Sequence, residues 1–285
     1  MKDIMTIVGI VAGFLLIILA MIFSMDPLGI DITKVFNFVD LPSIFVVLGG
    51  TIATIIASYP TSTLKKVPKH MKILVSGNRY DPLQYINTLV EFSRIARKNG
   101  LLALEEKANE QTDPFFRQSI MLIVDATDPE KVKTILENDL DKLATRHEEA
   151  VGIYEKASAM APAYGMIGTL IGLINMLKGM NVTSGESNIG QDMSVALITT
   201  FYGCVFANLV FNSIANKLRV RSDEEYFCKE IIIAGVLSIQ SGETPNFMEE
   251  KLRSFLEQGT REMALGTGAA QDEPKKGKKK GKKES

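Results

Sequence analysis

Two stretches of this 285-residue chain carry the residue types that could handle an ion inside an apolar medium. In ASAMAPAYGMIGTLIGLINML, residues 157–177, Ala161, Gly165, Gly168 and Gly172 recur at spacings of three and four. That spacing puts them on one helical face, which a second helix can approach closely. Thr169 lies beside the stripe, and Pro162 removes a backbone hydrogen bond and predicts a kink. In MSVALITTFYGCVFANLVFNSI, residues 193–214, Ala196, Thr200, Gly203 and Ala207 make a second small, slightly polar face, with Thr199 adjacent. Two readings stand for these faces. One is plain helix packing, which small residues and threonines serve in most membrane proteins. The other is that both faces line a cavity around a foreign helix. The threonine hydroxyls would then hydrogen-bond a partner's carboxylate or coordinate a partly dehydrated cation.

Other chemistry is missing. The chain has no GxxxxGK[ST] phosphate loop, no HExxH pair and no GxSxG nucleophile elbow. His70 and His147 are isolated and are expected to be exposed. Two cysteines, Cys204 in an apolar stretch and Cys228 in a charged one, provide neither a disulfide framework nor a metal cage. An enzyme is not expected, and neither is a resident cofactor. The net charge of −1 gives no basic field for nucleic acid.

The elements that carry these residues follow from charge placement. Windows 4–23, 41–59, 157–177 and 193–216 contain no Asp, Glu, Lys, Arg or His. A hydrocarbon core about 30 Å thick needs about 20 helical residues, and in lipid the backbone must satisfy itself. Each window therefore reads as a transmembrane helix. The first is a retained span rather than a signal peptide, because Met1-Lys2-Asp3 has no excess of positive charge. Residues 24–40 carry one basic residue, Lys34, and 178–192 carry one, Lys178, whereas 60–156 carry fifteen and 217–285 fourteen. The positive-inside rule puts both termini and residues 60–156 in the cytoplasm. No span holds an ionisable side chain, although a protein that moves protons normally needs one in the membrane. Either the chain moves nothing, or a partner supplies the carboxylate.

The expected fold is an all-α integral membrane protein, with four transmembrane helices and a helical cytoplasmic domain between spans two and three. The expected organisation is 1–59 (spans one and two), 60–156 (cytoplasmic domain), 157–216 (spans three and four), 217–265 (C-terminal helices) and 266–285, a Lys-rich tail. Helix starts recur as Asp81-Pro82, Asp113-Pro114 and Asp128-Pro129, since Asp caps orphan N–H groups and Pro suits the first helical position. Leu83, Ile86, Leu89 and Val90 mark an apolar face, and Asn99-Gly100 marks a stop. A short helix follows over 101–111. From Pro129, Val132, Ile135, Leu136, Leu140 and Leu143 keep helical spacing, with no breaker before Gly152, so that helix is expected to enter the third span. The fourth span has no breaker from Ala207 to Gly235, and Thr244-Pro245 opens a last helix to about residue 258. The tail carries seven lysines between 275 and 283. It reads as a solubilising segment or as one weakly attracted to anionic lipid.

PAYGMIGTLIGLINML and ALITTFYGCVFANLVFNSIANKL resemble the third and fourth spans of the MotA/PomA family of flagellar stator proteins. ARKNGLLALEE, residues 96–106, resembles the family's torque-generating stretch. The resemblance covers nearly the whole chain up to about Gly266. It implies a homo-oligomer of five such chains around two MotB-like chains, whose span supplies the ion-binding Asp. It also implies a bacterial inner-membrane location, transport of H+ or Na+, and force on the rotor protein FliG. By position, Pro162 matches the proline that couples ion binding to conformational change, with Gly165, Gly168, Thr169, Thr199 and Thr200 along the ion path. Arg97 and Glu105 match the rotor-facing charges, with Lys98 and Glu106 as helpers. The Thr199-Thr200 pair resembles the sodium-driven branch. Ser213 stands where many members have a second proline. An ExbB/TolQ-like energy-transducing subunit and a non-conducting scaffold are the alternatives. The four spans and the 96–106 segment speak against the former.

Overall fold

The computed structural model describes residues 5–23, 32–77, 80–179, 189–256 and 258, and among them it contains helices and turns but no strand. Among the described residues four helices are long and apolar enough to cross a membrane: one near the N-terminus (Met5–Phe23), then Leu41–Ser58, Pro129–Gly179 and Ile189–Gln240. The last two have 51 and 52 residues. At 1.5 Å per residue each runs about 75 Å, more than twice the hydrocarbon thickness. The expected run-on of both helices beyond their apolar windows is therefore present. The Lys-rich tail and the 180–188 connection lie outside the described residues.

The chain forms two compact units. The first gathers the chain up to Arg79 with Asp141–Glu224, and the second gathers Tyr80–Leu140 with the chain from Glu225 onward.

In the first unit, spans one and four touch where a Cβ on Gly13 would meet Leu209 at 2.8 Å. Spans two and three meet where the Tyr164 ring lies on Gly50 and the Tyr164 hydroxyl sits 2.7 Å from that of Thr54. Where the apolar windows end, Leu74, Val151, Ile153, Tyr154, Ile214, Ala215 and Leu218 form a buried cluster, with Ile55, Tyr59, Val67 and Val210 packed on it. Each large aliphatic side chain buried there stabilises the fold by about 1.5–3 kcal/mol. An ion pair between Glu155 and Arg219 bridges the two long helices beside this cluster. His70 is not exposed as the sequence suggests: only 7% of it is accessible, and it packs edge-on against Tyr154. Val67, His70 and Leu74 share one face of the Val67–Val75 helix, so the histidine follows its apolar neighbours inward. His147 is half-buried, 3.0 Å from the Ser222 hydroxyl.

In the second unit the expected helix starts are in place. Asp81 accepts from the Leu83 N–H and Asp113 from the Phe115 N–H, opening the Pro82–Asn99 and Pro114–Val124 helices. Asp128 accepts from the Glu130 N–H, and Thr244 caps the Pro245–Arg253 helix. Ile86, Leu89, Phe92, Phe116, Ile120, Leu136, Ile231, Ile232, Met248 and Leu252 are buried, and Phe92 stacks on Phe116 at 5.6 Å. Two details depart from the periodicity. Ile135 is 41% exposed, because it lies at the edge of the arc that Val132, Leu136 and Leu140 bury. The segment expected as one helix over 101–111 splits into a 3-10 turn, Leu101–Ala103, and a helix, Leu104–Asn109.

Candidate functional site

The two small-residue faces meet each other within the chain. A Cβ on Gly203 would lie 2.8 Å from the Ala161 carbonyl oxygen. One on Gly165 would lie 3.1 Å from the Thr199 carbonyl oxygen, one on Gly168 2.5 Å from the Thr199 side chain, and one on Gly172 2.7 Å from the Asp192 carbonyl oxygen. Spans three and four thus approach along four antiparallel rungs, backbone against backbone at Gly165, Gly172 and Gly203 and backbone against the Thr199 side chain at Gly168. Only glycine permits this, since any side chain would push the helices apart.

The threonines sit differently along this seam. Thr199 is 1% exposed, and its hydroxyl donates to the Val195 and Ala196 carbonyls at 3.0 and 2.9 Å. Thr200 is half-buried and donates to the Ala196 carbonyl at 3.4 Å. Thr169, also half-buried, donates to the Met166 carbonyl at 2.6 Å. Each hydroxyl spends its one proton on its own helix and keeps an oxygen that can accept a hydrogen bond or face a cation. Thr199 is enclosed between the two spans. Thr169 and Thr200 are the pair left partly open.

Pro162 lies inside the Pro129–Gly179 helix, which continues through it. Its ring removes the N–H that would have bonded the Ser158 carbonyl. Its surroundings come from other spans and leave no mark in the sequence. Spans two and four each contain a π-helical turn, Phe45–Gly49 and Phe206–Phe211. Val47 of one and Ala207 of the other close with Ala161 into a single buried cluster, ringed by Tyr202, Phe206 and Phe211. The Ser158 hydroxyl donates to the Ala207 carbonyl at 3.1 Å, and the Thr51 hydroxyl to the Val47 carbonyl at 2.6 Å. Three irregular helix turns therefore converge beside Pro162. Such insertions recur at functional sites because they loosen the i→i−4 ladder locally. Ser213 lies two residues past the second π turn, with its hydroxyl 3.5 Å from the Asn208 carbonyl five residues back. The ladder there is relaxed without proline. An inserted residue leaves no mark in hydropathy, so the π turns could not be read in advance.

The second group of candidates lies in the second unit, apart in membership from the first. Gly100 ends the Pro82–Asn99 helix with φ 84° and ψ 166°, a backbone setting that disfavours side chains, and its N–H bonds the Ala96 carbonyl at 2.8 Å. The reversal puts Arg97 and Lys98 in the last turn of one helix and Glu105 and Glu106 in the first turn of the next. Each charge complements its own helix dipole, worth about 0.3–1 kcal/mol. All four are exposed, and none is ion-paired among the described residues. Lys107 is instead held by Glu110 at 2.9 Å. An open groove of about 670 Å³ runs past Ile95, Leu102, Glu105 and Glu106, and Leu102 is 73% exposed. Among the described residues no cluster of His, Cys, Asp and Glu could hold a metal.

The chain is similar to known proteins over most of its length. Residues 107–231 match the MotA/TolQ/ExbB proton channel family. The chain is 39% identical over 251 residues to Motility protein A of Borreliella burgdorferi, an alignment covering 88% of this chain and 93% of that one. The chain belongs to the MotA/PomA family. It is also 35% identical to Chemotaxis protein PomA of Vibrio alginolyticus over 92% of this chain and 99% of that one. Among solved structures it is similar to a chain of the flagellar MotAB stator complex from Bacillus subtilis. There the TM-score is 0.80 and the identity 27%, with 92% of this chain and 99% of that chain covered. The family match takes in the third and fourth spans, and the longer alignments extend over the helices before them.

Proposed function

We propose that this MotA/PomA family member is the torque-generating subunit of an ion-driven flagellar stator. It sits in the bacterial inner membrane with both termini in the cytoplasm, and five copies surround two MotB-like chains. The observation that carries this reading is the four-rung seam between two spans that hold no ionisable side chain within their apolar windows. A cation crossing such a wall needs a carboxylate from elsewhere, and the similar solved structure is a MotAB complex.

In this reading the partner's Asp accepts the ion from outside and releases it toward the cytoplasm. Thr169 and Thr200 offer hydroxyl oxygens to the ion or to the Asp. Thr199, Gly165 and Gly168 set the interhelix distance on which those positions depend. Neutralising and re-ionising the Asp shifts the packing at Pro162, where the helix ladder is loosened on three sides. One charge crossing 100 mV releases about 2.3 kcal/mol, enough to move a two-state packing arrangement. Arg97, Lys98, Glu105 and Glu106 meet charged residues of the FliG-like rotor. Exposed pairs are worth only about 0–1 kcal/mol, which suits contacts made and broken at every step.

The Thr199-Thr200 pair favours sodium as the transported ion. Co-expression with the MotB-like chain should yield a complex that conducts cations across liposomes, while either chain alone should not. Conduction by this chain alone would overturn the proposal. Swimming speed measured against sodium at fixed pH decides the ion, and independence from sodium assigns protons.

A further inference from the structure

Between Asp40 and Asp81 the chain has no acidic residue, yet Lys65, Lys66, Lys69 and Lys72 fall within eight positions. The rest of the segment before the third span is the reverse: residues 81–156 hold ten basic and fifteen acidic side chains. Positive charge is therefore concentrated in the first stretch after the second span. All four lysines are exposed, and none is ion-paired among the described residues.

Lys65 and Lys66 directly precede the Val67–Val75 helix, and that helix sets the direction of Lys69 and Lys72. Val67, His70 and Leu74 turn inward onto the buried cluster formed with Val151, Tyr154 and Leu218. At 100° per residue, Lys69 and Lys72 then lie on the opposite face. Met71 and Ile73 flank those two lysines and stay 48% and 42% exposed. A face that mixes lysines with uncovered apolar side chains suits the boundary between headgroups and acyl chains better than bulk water. The second span ends at Ser58, and the Thr61–Leu64 helix leads to Lys65. Seven residues cover at most about 25 Å even when extended. The helical turn shortens that reach, and each lysine stem carries its charge back several ångströms.

We propose that this lysine face binds the headgroups of anionic phospholipids in the leaflet where the second span ends. The proposal rests on the transmembrane reading and the cytoplasmic side given above. It goes beyond that reading by assigning a lipid site to a part of the chain outside both the ion path and the rotor-facing charges. Each lysine near an anionic surface contributes about a fivefold preference, equivalent to about 1 kcal/mol.

The test uses the complete complex with its MotB-like partner, in nanodiscs of equal phosphatidylglycerol and phosphatidylcholine. Lipids that stay bound after transfer to detergent are counted by native mass spectrometry. Replacing all four residues (Lys65→Gln, Lys66→Gln, Lys69→Gln, Lys72→Gln) should lower the ratio of bound anionic to zwitterionic lipid by about tenfold or more. The corresponding four Lys→Arg changes should keep it. An unchanged ratio in the Gln variant overturns the proposal. So does capture of an acidic soluble protein on this face in place of lipid. Sidedness is read separately with Lys69→Cys in a Cys204→Ala background. An impermeant maleimide should not label it on intact cells. Labelling from outside would overturn the topology, whereas the nanodisc measurement, which presents both leaflets alike, reports on lipid binding alone.

Discussion

Gly203 lies against the backbone of Pro162. A methyl group on the glycine would stand 3.1 Å from the proline Cα and 2.8 Å from the carbonyl oxygen of Ala161. Neither atom belongs to a side chain that could swing away. Gly203→Ala should therefore force the third and fourth spans apart, costing about 1–3 kcal/mol. It should lower the thermal stability of the purified complex and abolish motility. Gly9→Ala, in the first span where nothing lies within 4 Å, should leave both unchanged. Equal effects of the two substitutions would show that the rung is unimportant.

The contact of Tyr164, in span three, with span two separates a ring effect from a hydroxyl effect. Tyr164→Phe loses only the bond to Thr54 and should cost about 0.5–1.5 kcal/mol. Gly50→Ala would place a methyl 2.2 Å from the ring and should be far more damaging. Combining Gly50→Ala with Tyr164→Ala should recover much of the loss in motility. Absence of recovery in the double variant would show that the damage arises elsewhere.

Charge reversal at the Gly100 turn should act without unfolding anything. Arg97→Glu and Glu105→Lys change exposed groups that form no ion pair among the described residues, so the complex should assemble with stability altered by less than about 1 kcal/mol. Torque measured on tethered cells should fall in each. Opposite reversals on the rotor should restore part of it, and torque insensitive to either reversal would remove these residues from the rotor interface.

Gly100 adopts a backbone conformation that any side chain would strain. With φ at 84°, Gly100→Ala should destabilise the turn by about 1–3 kcal/mol. Hydrogen exchange should then quicken over the last turn of the Pro82–Asn99 helix, and unchanged protection there would refute the strain argument.

Acid stability should depend on His70. Burial, then the positive charge of Lys66, then His147 hold its pKa below the ordinary value of 6.5. Tyr154, against which it packs, stays neutral across this range. The unfolded chain therefore takes up a proton at a higher pH than the folded one. The stability from a neutral His70 is full above about pH 6.5 and is lost as the pH falls from there through the lower pKa of the folded chain. The midpoint of thermal unfolding should drop between pH 8 and pH 5.5, and it should drop less in a His70→Gln variant. The same drop in both would assign the acid sensitivity to other groups.

Much of this molecule was legible without coordinates, for reasons that are local. Four charge-free windows must be buried in something apolar, and their length matches a bilayer. Asp81, Asp113, Asp128 and Thr244 announce helix starts because a cap acts on N–H groups only two or three residues away. Gly100 announces a reversal because its own backbone is the constraint. The small residues of the third and fourth spans were visible too, as stripes, because helical spacing alone aligns them.

What those stripes face was decided by the tertiary structure. Sequence spacing allowed either a neighbouring span or a foreign helix. In the fold Gly165, Gly168, Gly172 and Gly203 close on the other span of the same chain, which encloses Thr199 and leaves Thr169 and Thr200 partly open. The bond between Tyr164 and Thr54 joins residues 110 positions apart, and the π turns meet Ala161 from two other spans. Hydropathy and spacing record each residue's preference for its own surroundings. They carry no information on which of several equally apolar faces will be its neighbour, and that choice is made only when all the faces pack together.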